Sequence, residues 1–103
     1  MSIINSAITD STASGIYTSA GNTAITTVYL CNNSTSAVAV NVFVVANTFV
    51  ANGINIIYSN LNIAGNDTFI MEAERLLFNN GDFLAANAGV AGSVAATVSY
   101  TSI

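Results

Sequence analysis

Short runs of apolar or alternating residues recur along the whole chain, and clusters of glycine and asparagine separate them. Runs of this length suit β-strands better than helices, and Gly and Asn favour turns because they tolerate positive φ. The two Asn-Gly pairs, at Asn52 and Asn80, are typical of tight hairpin turns. The pattern predicts an all-β fold: a single antiparallel β-sandwich, immunoglobulin-like or jelly-roll, with about seven to nine short strands.

The predicted strands cover most of the sequence. They lie near residues 3–8, 15–19, 23–31, 37–45, 54–58, 68–72, 75–78, 83–88 and 94–101. The runs 23–31 and 37–45 are the longest and are joined by a short Asn/Ser/Thr loop, so we predict that they form an antiparallel hairpin. The only competing helix covers residues 72–78, and a helix that short would be marginal.

A chain of 103 residues can bury one core but not two. We therefore predict one domain, with residues 1–14 as an N-terminal arm or first edge strand and residues 15–103 as the β-sandwich domain. The first segment is only weakly patterned, so it could become ordered against a neighbour.

The charge content excludes several classes of function. Only 6% of the residues are charged, whereas an ordinary soluble domain has about a quarter. Arg75 is the single cationic side chain against five acidic ones, which argues against nucleic-acid binding and against binding to anionic membranes. The longest apolar stretch, 37–46, is too short to span a bilayer and contains Asn41. Residues 1–5 lack the features of a signal peptide, so we expect a cytosolic product.

The residues that most enzymes use are scarce. The chain has no His, no Lys and one cysteine, Cys31, which we predict to be a small buried side chain without a catalytic or metal-binding role. We predict that the protein is not an enzyme and binds no cofactor.

Two alternatives rest on the acidic side chains Asp67, Glu72, Glu74 and Asp82, which could form a glycosidase-like pair or bind calcium. Their spacing is specific to neither. We favour the interpretation that Asp67 and Asp82 stabilise turns and that Glu72, Glu74 and Arg75 form a solvated or interfacial ionic patch.

The run 37–45 has apolar residues on both faces. Val38, Val40, Val42 and Val44 alternate with Ala39, Asn41, Phe43 and Val45. Such a strand either lies centrally in its sheet or has a second burial surface supplied by another subunit. Core positions are the default for the four tyrosines, but an exposed tyrosine would anchor an interface. The candidate interface residues are Tyr29, Phe43, Val45, Tyr58, Arg75 and Tyr100.

Three segments carry a resemblance: 21–33 (GNTAITTVYLCNN), 56–61 (IIYSNL) and 80–87 (NGDFLAAN). They resemble small virion proteins of tailed bacteriophages, especially phages of marine and freshwater cyanobacteria. The resemblance runs from about Gly15 to the C-terminus. Its most recognisable parts are residues 72–87 and the terminal strand ending Val98-Ser99-Tyr100-Thr101.

This resemblance implies a β-sandwich located in the virion, as a capsid cement or decoration protein or as a neck, tail or fibre component. It implies no catalytic residues. The implied partners are other virion proteins, either the major capsid protein or neck and tail proteins, together with copies of the chain itself in a symmetric oligomer such as a trimer.

A competing hypothesis is a receptor- or glycan-binding module that uses exposed Tyr and Asn side chains. The chain contains neither Lys nor Pro, the residues that often protect an edge strand from pairing. Unprotected edges are more tolerable where neighbouring subunits cover them. We therefore expect association through sheet faces and edges, in which apolar contacts supply the driving force.

Overall fold

The computed structural model describes residues 2–8, 14–89 and 94–103, except for the side chains of Ser14 and of residues 72–75. These residues form eight β-strands and no helix. The strands are β1 (Ser2–Ala7), β2 (Ser14–Thr18), β3 (Thr23–Asn32), β4 (Val38–Val45), β5 (Ile56–Ile63), β6 (Asp67–Phe78), β7 (Phe83–Ala88) and β8 (Val94–Ser102).

The strands form two antiparallel four-stranded sheets: sheet A in the order β1-β8-β3-β6 and sheet B in the order β2-β7-β4-β5. The pairs are nested along the chain, because β1 pairs with β8, β2 with β7, β3 with β6 and β4 with β5. The chain therefore forms one long antiparallel hairpin, with the β4–β5 connection at its end, and successive strand pairs of this hairpin belong alternately to sheet A and sheet B. This is the strand order of a jelly roll. The predicted β-sandwich is confirmed, and its topology is that of a jelly roll.

The main core lies between the sheets. Alternate residues of each strand point inward, as the two-residue period of a strand requires. Val28 and Leu30 of β3 face Val40 and Val42 of β4, and all four are fully buried within one cluster. Leu84 of β7 belongs to the same cluster.

The predicted runs 68–72 and 75–78 are one strand, β6, and the helical alternative over residues 72–78 is therefore wrong. The interruption in the sequence pattern is a bulge. Ile25 pairs with Leu76 while Thr27 pairs with Glu72, so three residues of β6 stand opposite one residue of β3. A bulge breaks the two-residue alternation, which explains why the sequence suggests two separate strands.

The predicted hairpin between residues 23–31 and 37–45 is wrong. β3 pairs with β6 and β8 in sheet A, whereas β4 pairs with β5 and β7 in sheet B. The connecting segment crosses from one layer to the other. The buried side chain of Asn32 stabilises this crossing by donating a hydrogen bond of 2.8 Å to the carbonyl oxygen of Ser36.

The outer face of β4 is covered by the chain itself. Phe43 and Val45 form a second buried cluster with Ala85, and Ala51 of the β4–β5 connection packs against it together with Ile56. The two apolar faces of β4 therefore have a burial surface within one copy, and of the two alternatives the structure shows the central strand, with β4 between β7 and β5. Val42 and Phe43 are adjacent and therefore point into opposite cores, as the alternation of side chains along a strand requires.

Candidate interaction surfaces

The outer face of sheet A carries a surface of uncharged side chains, in which apolar residues alternate with small polar ones, and we call it the apolar face. It consists of two adjacent rows across the four strands, and every residue in them is half-buried or exposed. The rows are Asn5, Thr97, Tyr29 and Ile70, then Ala7, Ala95, Cys31 and Thr68. These residues point outward because their strand neighbours, such as Val28 and Leu30, point into the core.

Tyr29 and Ile70 are the two largest side chains of this face. They are direct cross-strand partners, and their exposed fractions are 41% and 55%. Partners in adjacent strands have their side chains in contact range, so the two form one apolar ridge. These eight side chains include no carboxylate or amine, so a surface that covers only these two rows desolvates no full charge. The next row of the same register contains Glu72, which pairs with Thr27.

A second surface is the connection between β4 and β5, residues 46–55, which we call the apolar loop. Phe49, Val50 and Ile54 are 55%, 69% and 81% exposed. Contiguous apolar side chains are uncommon on the surface of a monomeric protein and often mark a contact site.

Asparagine side chains hold the apolar loop in one conformation. Asn55 donates through Nδ2 to the carbonyl oxygen of Val50 at 2.8 Å and accepts through Oδ1 from the backbone N–H of Asn52 at 2.9 Å. The Asn52 side chain accepts from the N–H of Ile54 at 3.0 Å, and the N–H of Val44 bonds to the Asn55 carbonyl. These bonds satisfy several polar groups of the loop within the chain, while its large apolar side chains are exposed.

Four strands are edges of the sheets: β1 and β6 in sheet A, and β2 and β5 in sheet B. β5 is an irregular edge, because Asn60 has a φ of 55° and its pairing with β4 is interrupted. β1 is regular, with six consecutive residues paired to β8, and carries no charged side chain. Its outer edge is the most regular candidate for pairing with another strand.

The candidate interface residues do not converge on one surface. Tyr29 is exposed on the apolar face. Phe43 and Val45 are buried beneath the apolar loop, at 8% and 0% exposure. The side chain of Arg75 lies outside the described part of the structure.

The remaining two candidates are half-buried tyrosines that pack against the main core. The ring of Tyr58 makes an edge contact with Phe69, with the centroids 5.3 Å apart. The ring centroid of Tyr100 lies 4.4 Å from that of Tyr17. Both side chains therefore have a structural role, and only a part of each ring faces solvent.

Sequence reasoning missed the exposed residues Ile70, Phe49, Val50 and Ile54. For the last three a signal existed: large apolar residues stand within an Asn- and Gly-rich segment, where a turn would normally be polar. Cys31, predicted to be buried, is half-buried on the apolar face. Its outward position follows from its place between the buried residues Leu30 and Asn32.

The carboxylates Asp67 and Asp82 stabilise turns. Asp82 accepts backbone N–H bonds from Asn47 and Asn79, each of 2.9 Å, and Asp67 accepts one from Thr68. No cluster of metal-binding side chains occurs among the described residues. A depression of about 270 Å³ lies beside Asp82, lined mainly by apolar residues of β4 and β6.

No known protein family matches the sequence, and neither a curated protein nor a solved structure is significantly similar to it. Within the part of the chain that the structure describes, no helix has the length and apolar character needed to cross a bilayer. The functional argument therefore rests on the jelly-roll architecture and on the two exposed apolar surfaces.

Proposed function

We propose that this protein is a non-enzymatic structural component of a tailed-bacteriophage particle, acting as a capsid cement or decoration protein that binds neighbouring subunits through its sheet faces and edges. The observation that carries the proposal is the apolar face, where Tyr29 and Ile70 stand exposed among small uncharged side chains. The resemblance of residues 21–33, 56–61 and 80–87 to phage virion proteins supports the same assignment.

The architecture adds support by analogy. Eight-stranded jelly rolls occur in viral capsid proteins, in lectin domains and in cupins. A cupin-type metal site needs histidine ligands in most cases, and the sequence has none. A fold alone does not assign a function, so the weight of the argument remains with the exposed surfaces.

The energetics favour association through apolar contacts. Burial of apolar surface contributes roughly 25 cal/mol per Å², and a half-exposed Ile or Tyr at the centre of an interface can be worth more than 1 kcal/mol. The four asparagine, threonine and cysteine side chains of the apolar face, Asn5, Thr68, Thr97 and Cys31, can satisfy polar groups of a partner.

Sedimentation measures whether the isolated protein associates through this face. We expect the wild type to be oligomeric at micromolar concentration and Ile70→Ser to weaken association at least tenfold. Ile103→Ser is the matched control, because Ile103 is 69% exposed but lies outside the apolar face. A wild-type protein that is a clean monomer, or equal effects of the two substitutions, would contradict association through the apolar face.

Cryo-electron microscopy of the native phage particle tests the location. Density that fits this chain at repeated capsid sites is the expected result. Density only at the neck, tail or fibres would replace the cement role with a role in those assemblies. Absence of fitting density anywhere would overturn the virion proposal, and a glycan array would then test the receptor-binding alternative.

A further inference from the structure

The two Asn-Gly pairs, at Asn52 and Asn80, lie in different surroundings. Asn52 and Gly53 are exposed in the apolar loop, and no atom lies within 4 Å of the position that a Gly53 Cβ would occupy. Within the described part of the chain, the N–H of Gly53 donates no hydrogen bond. This nitrogen is therefore accessible to solvent bases, and glycine, which has no Cβ, imposes little steric hindrance on it.

The second pair is held in place by the rest of the fold. The Gly81 N–H donates to the carbonyl oxygen of Ser19 at 2.9 Å, and a Cβ on Gly81 would overlap the side chain of Asn47. The side-chain oxygen of Asn80 accepts from the N–H of Gly21 at 2.9 Å, which directs it toward the β2–β3 connection. Any attack by the Gly81 nitrogen on Asn80 must first break the bond to Ser19.

The side chain of Asn52 is positioned for a reaction with the residue that follows it. Its Oδ1 accepts from the N–H of Ile54 at 3.0 Å. The ring closed by this bond contains both Cγ of Asn52 and the backbone nitrogen of Gly53, as in any Asx turn. Holding two atoms close together raises the rate at which they form a bond. The Ile54 N–H also points at the oxygen that becomes negative when Cγ is attacked, and such a donor stabilises that charge.

We propose that Asn52 is a site of spontaneous deamidation in the folded protein, and that the fold protects Asn80 from the same reaction. The Gly53 nitrogen gives its proton to hydroxide or another solvent base and forms a bond to Cγ of Asn52. The bond between Cγ and Nδ2 breaks, Nδ2 takes a proton and leaves as ammonia, and a succinimide ring remains. Water then opens the ring at either carbonyl and leaves aspartate or isoaspartate. No group is oxidised or reduced, and water is the only co-reactant consumed.

Deamidation changes the surface of the apolar loop. Either product adds one negative charge to a chain whose formal net charge is −4. The charge arises in the same loop as Val50 and Ile54, which are 69% and 81% exposed. Isoaspartate also lengthens the backbone by a methylene group, which disturbs the turn in which the Asn52 carbonyl accepts from the Asn55 N–H at 3.2 Å. Any contact made through this loop must then desolvate a charge, so we expect it to weaken as the protein ages.

Peptide mapping tests the proposal, and trypsin separates the two pairs because the chain has no Lys and Arg75 lies between them. The folded wild type is incubated in warm, mildly alkaline buffer, then unfolded and digested at intervals. Fragmentation in a mass spectrometer localises the mass increase of one unit to a particular asparagine. A parallel sample is incubated in urea, where neither pair has a fixed conformation. Gly53→Ala is the test variant, because its Cβ contacts no other part of the fold and hinders only the attacking nitrogen.

In the folded protein, we expect Asn52 to convert at least tenfold faster than Asn80 and within threefold of its own rate in urea. Asn80 should convert at least tenfold faster in urea than in the folded chain, and Gly53→Ala should slow the conversion of Asn52 at least tenfold. Equal rates at the two sites of the folded protein, conversion of Asn52 only in urea, or an unchanged rate in Gly53→Ala would each overturn the proposal. The reaction needs no partner, so none of these outcomes bears on the proposed function.

Discussion

The side-chain amide of Asn32, at the end of β3, donates a hydrogen bond of 2.9 Å to the carbonyl oxygen of Ile63 at the end of β5, and so joins sheet A to sheet B. The same nitrogen donates to the carbonyl of Ser36 at 2.8 Å, while the side-chain oxygen accepts from the N–H and the hydroxyl of Ser34. Asn32 is fully buried, so no water replaces these bonds in the folded chain.

Replacing Asn32 with alanine is expected to lower the free energy of unfolding by about 1–3 kcal/mol, because the carbonyl oxygen of Ile63 loses its donor in a buried site. Urea unfolding followed by tyrosine fluorescence measures the change. Asn33→Ala is the control, since Asn33 is exposed and a surface substitution changes stability by about 0.5 kcal/mol or less. Equal losses for the two variants would contradict the joining role of Asn32.

The segment after Asn32 is the part of the fold that the sequence predicts least well. The strand runs on either side of it are predictable from β-branched residues and turn clusters, and most observed strands lie within two residues of the predicted ones. The prediction that β3 and β4 form a hairpin fails because a short polar loop can connect strands within one sheet or across two. Whether the loop stays within one sheet or crosses to the other depends on β6 and β8, which are distant in sequence from β3 and pair with it.

The candidate site was less predictable than the fold. The alternation of β4 indicates two apolar faces, but it does not indicate what covers each one. Phe43 is covered by Ala51 of the same chain, eight residues later, whereas Tyr29 and Ile70 remain exposed. Exposure depends on tertiary packing, so two residues with the same strand pattern can have opposite roles.

A side chain at Gly65 is expected to destabilise the fold. A Cβ atom there would overlap the backbone of Thr35 and Ser36, and the neighbouring Asn66 N–H bonds to the Ser34 carbonyl. Because the obstruction is backbone, the two loops must separate, and Gly65→Ala should lower the free energy of unfolding by about 1–3 kcal/mol.

Gly53→Ala is the matched control for this change, because no atom lies within 4 Å of the position of its Cβ. It should leave stability unchanged or raise it slightly by restricting the unfolded chain. Thermal unfolding of both variants measures the difference. If Gly65→Ala melts with the wild type, the close approach of the two loops is not a constraint on this fold.

The carboxylate of Asp82 is expected to matter more to stability than that of Asp67. Asp82 uses both oxygens, one for Asn47 N–H and one for Asn79 N–H, whereas Asp67 uses one oxygen for Thr68 N–H. An asparagine keeps one acceptor but places an amide donor against the second N–H. Asp82→Asn should therefore lower the free energy of unfolding by about 1–2 kcal/mol.

Asp67→Asn keeps the single acceptor that its turn requires and should have a smaller effect in the same urea titration. The pair also tests the calcium alternative. If either variant, or chelation of the wild type, changed the melting temperature in a calcium-dependent way, these carboxylates would have a ligand-binding role as well as a role in the turns.

Alanine substitutions of Phe43 and Phe49 are expected to affect different properties, the free energy of unfolding for Phe43 and the association of copies for Phe49. Phe43 is buried under the apolar loop, so Phe43→Ala should lower the free energy of unfolding by about 3–4 kcal/mol. Phe49 is 55% exposed in that loop, so Phe49→Ala should lower the free energy of unfolding by only about 1 kcal/mol. Its effect should appear instead as a higher dissociation constant in sedimentation. If Phe49→Ala destabilised the monomer as strongly as Phe43→Ala, the exposed loop residues would be structural, and a contact role for the apolar loop would lose its basis.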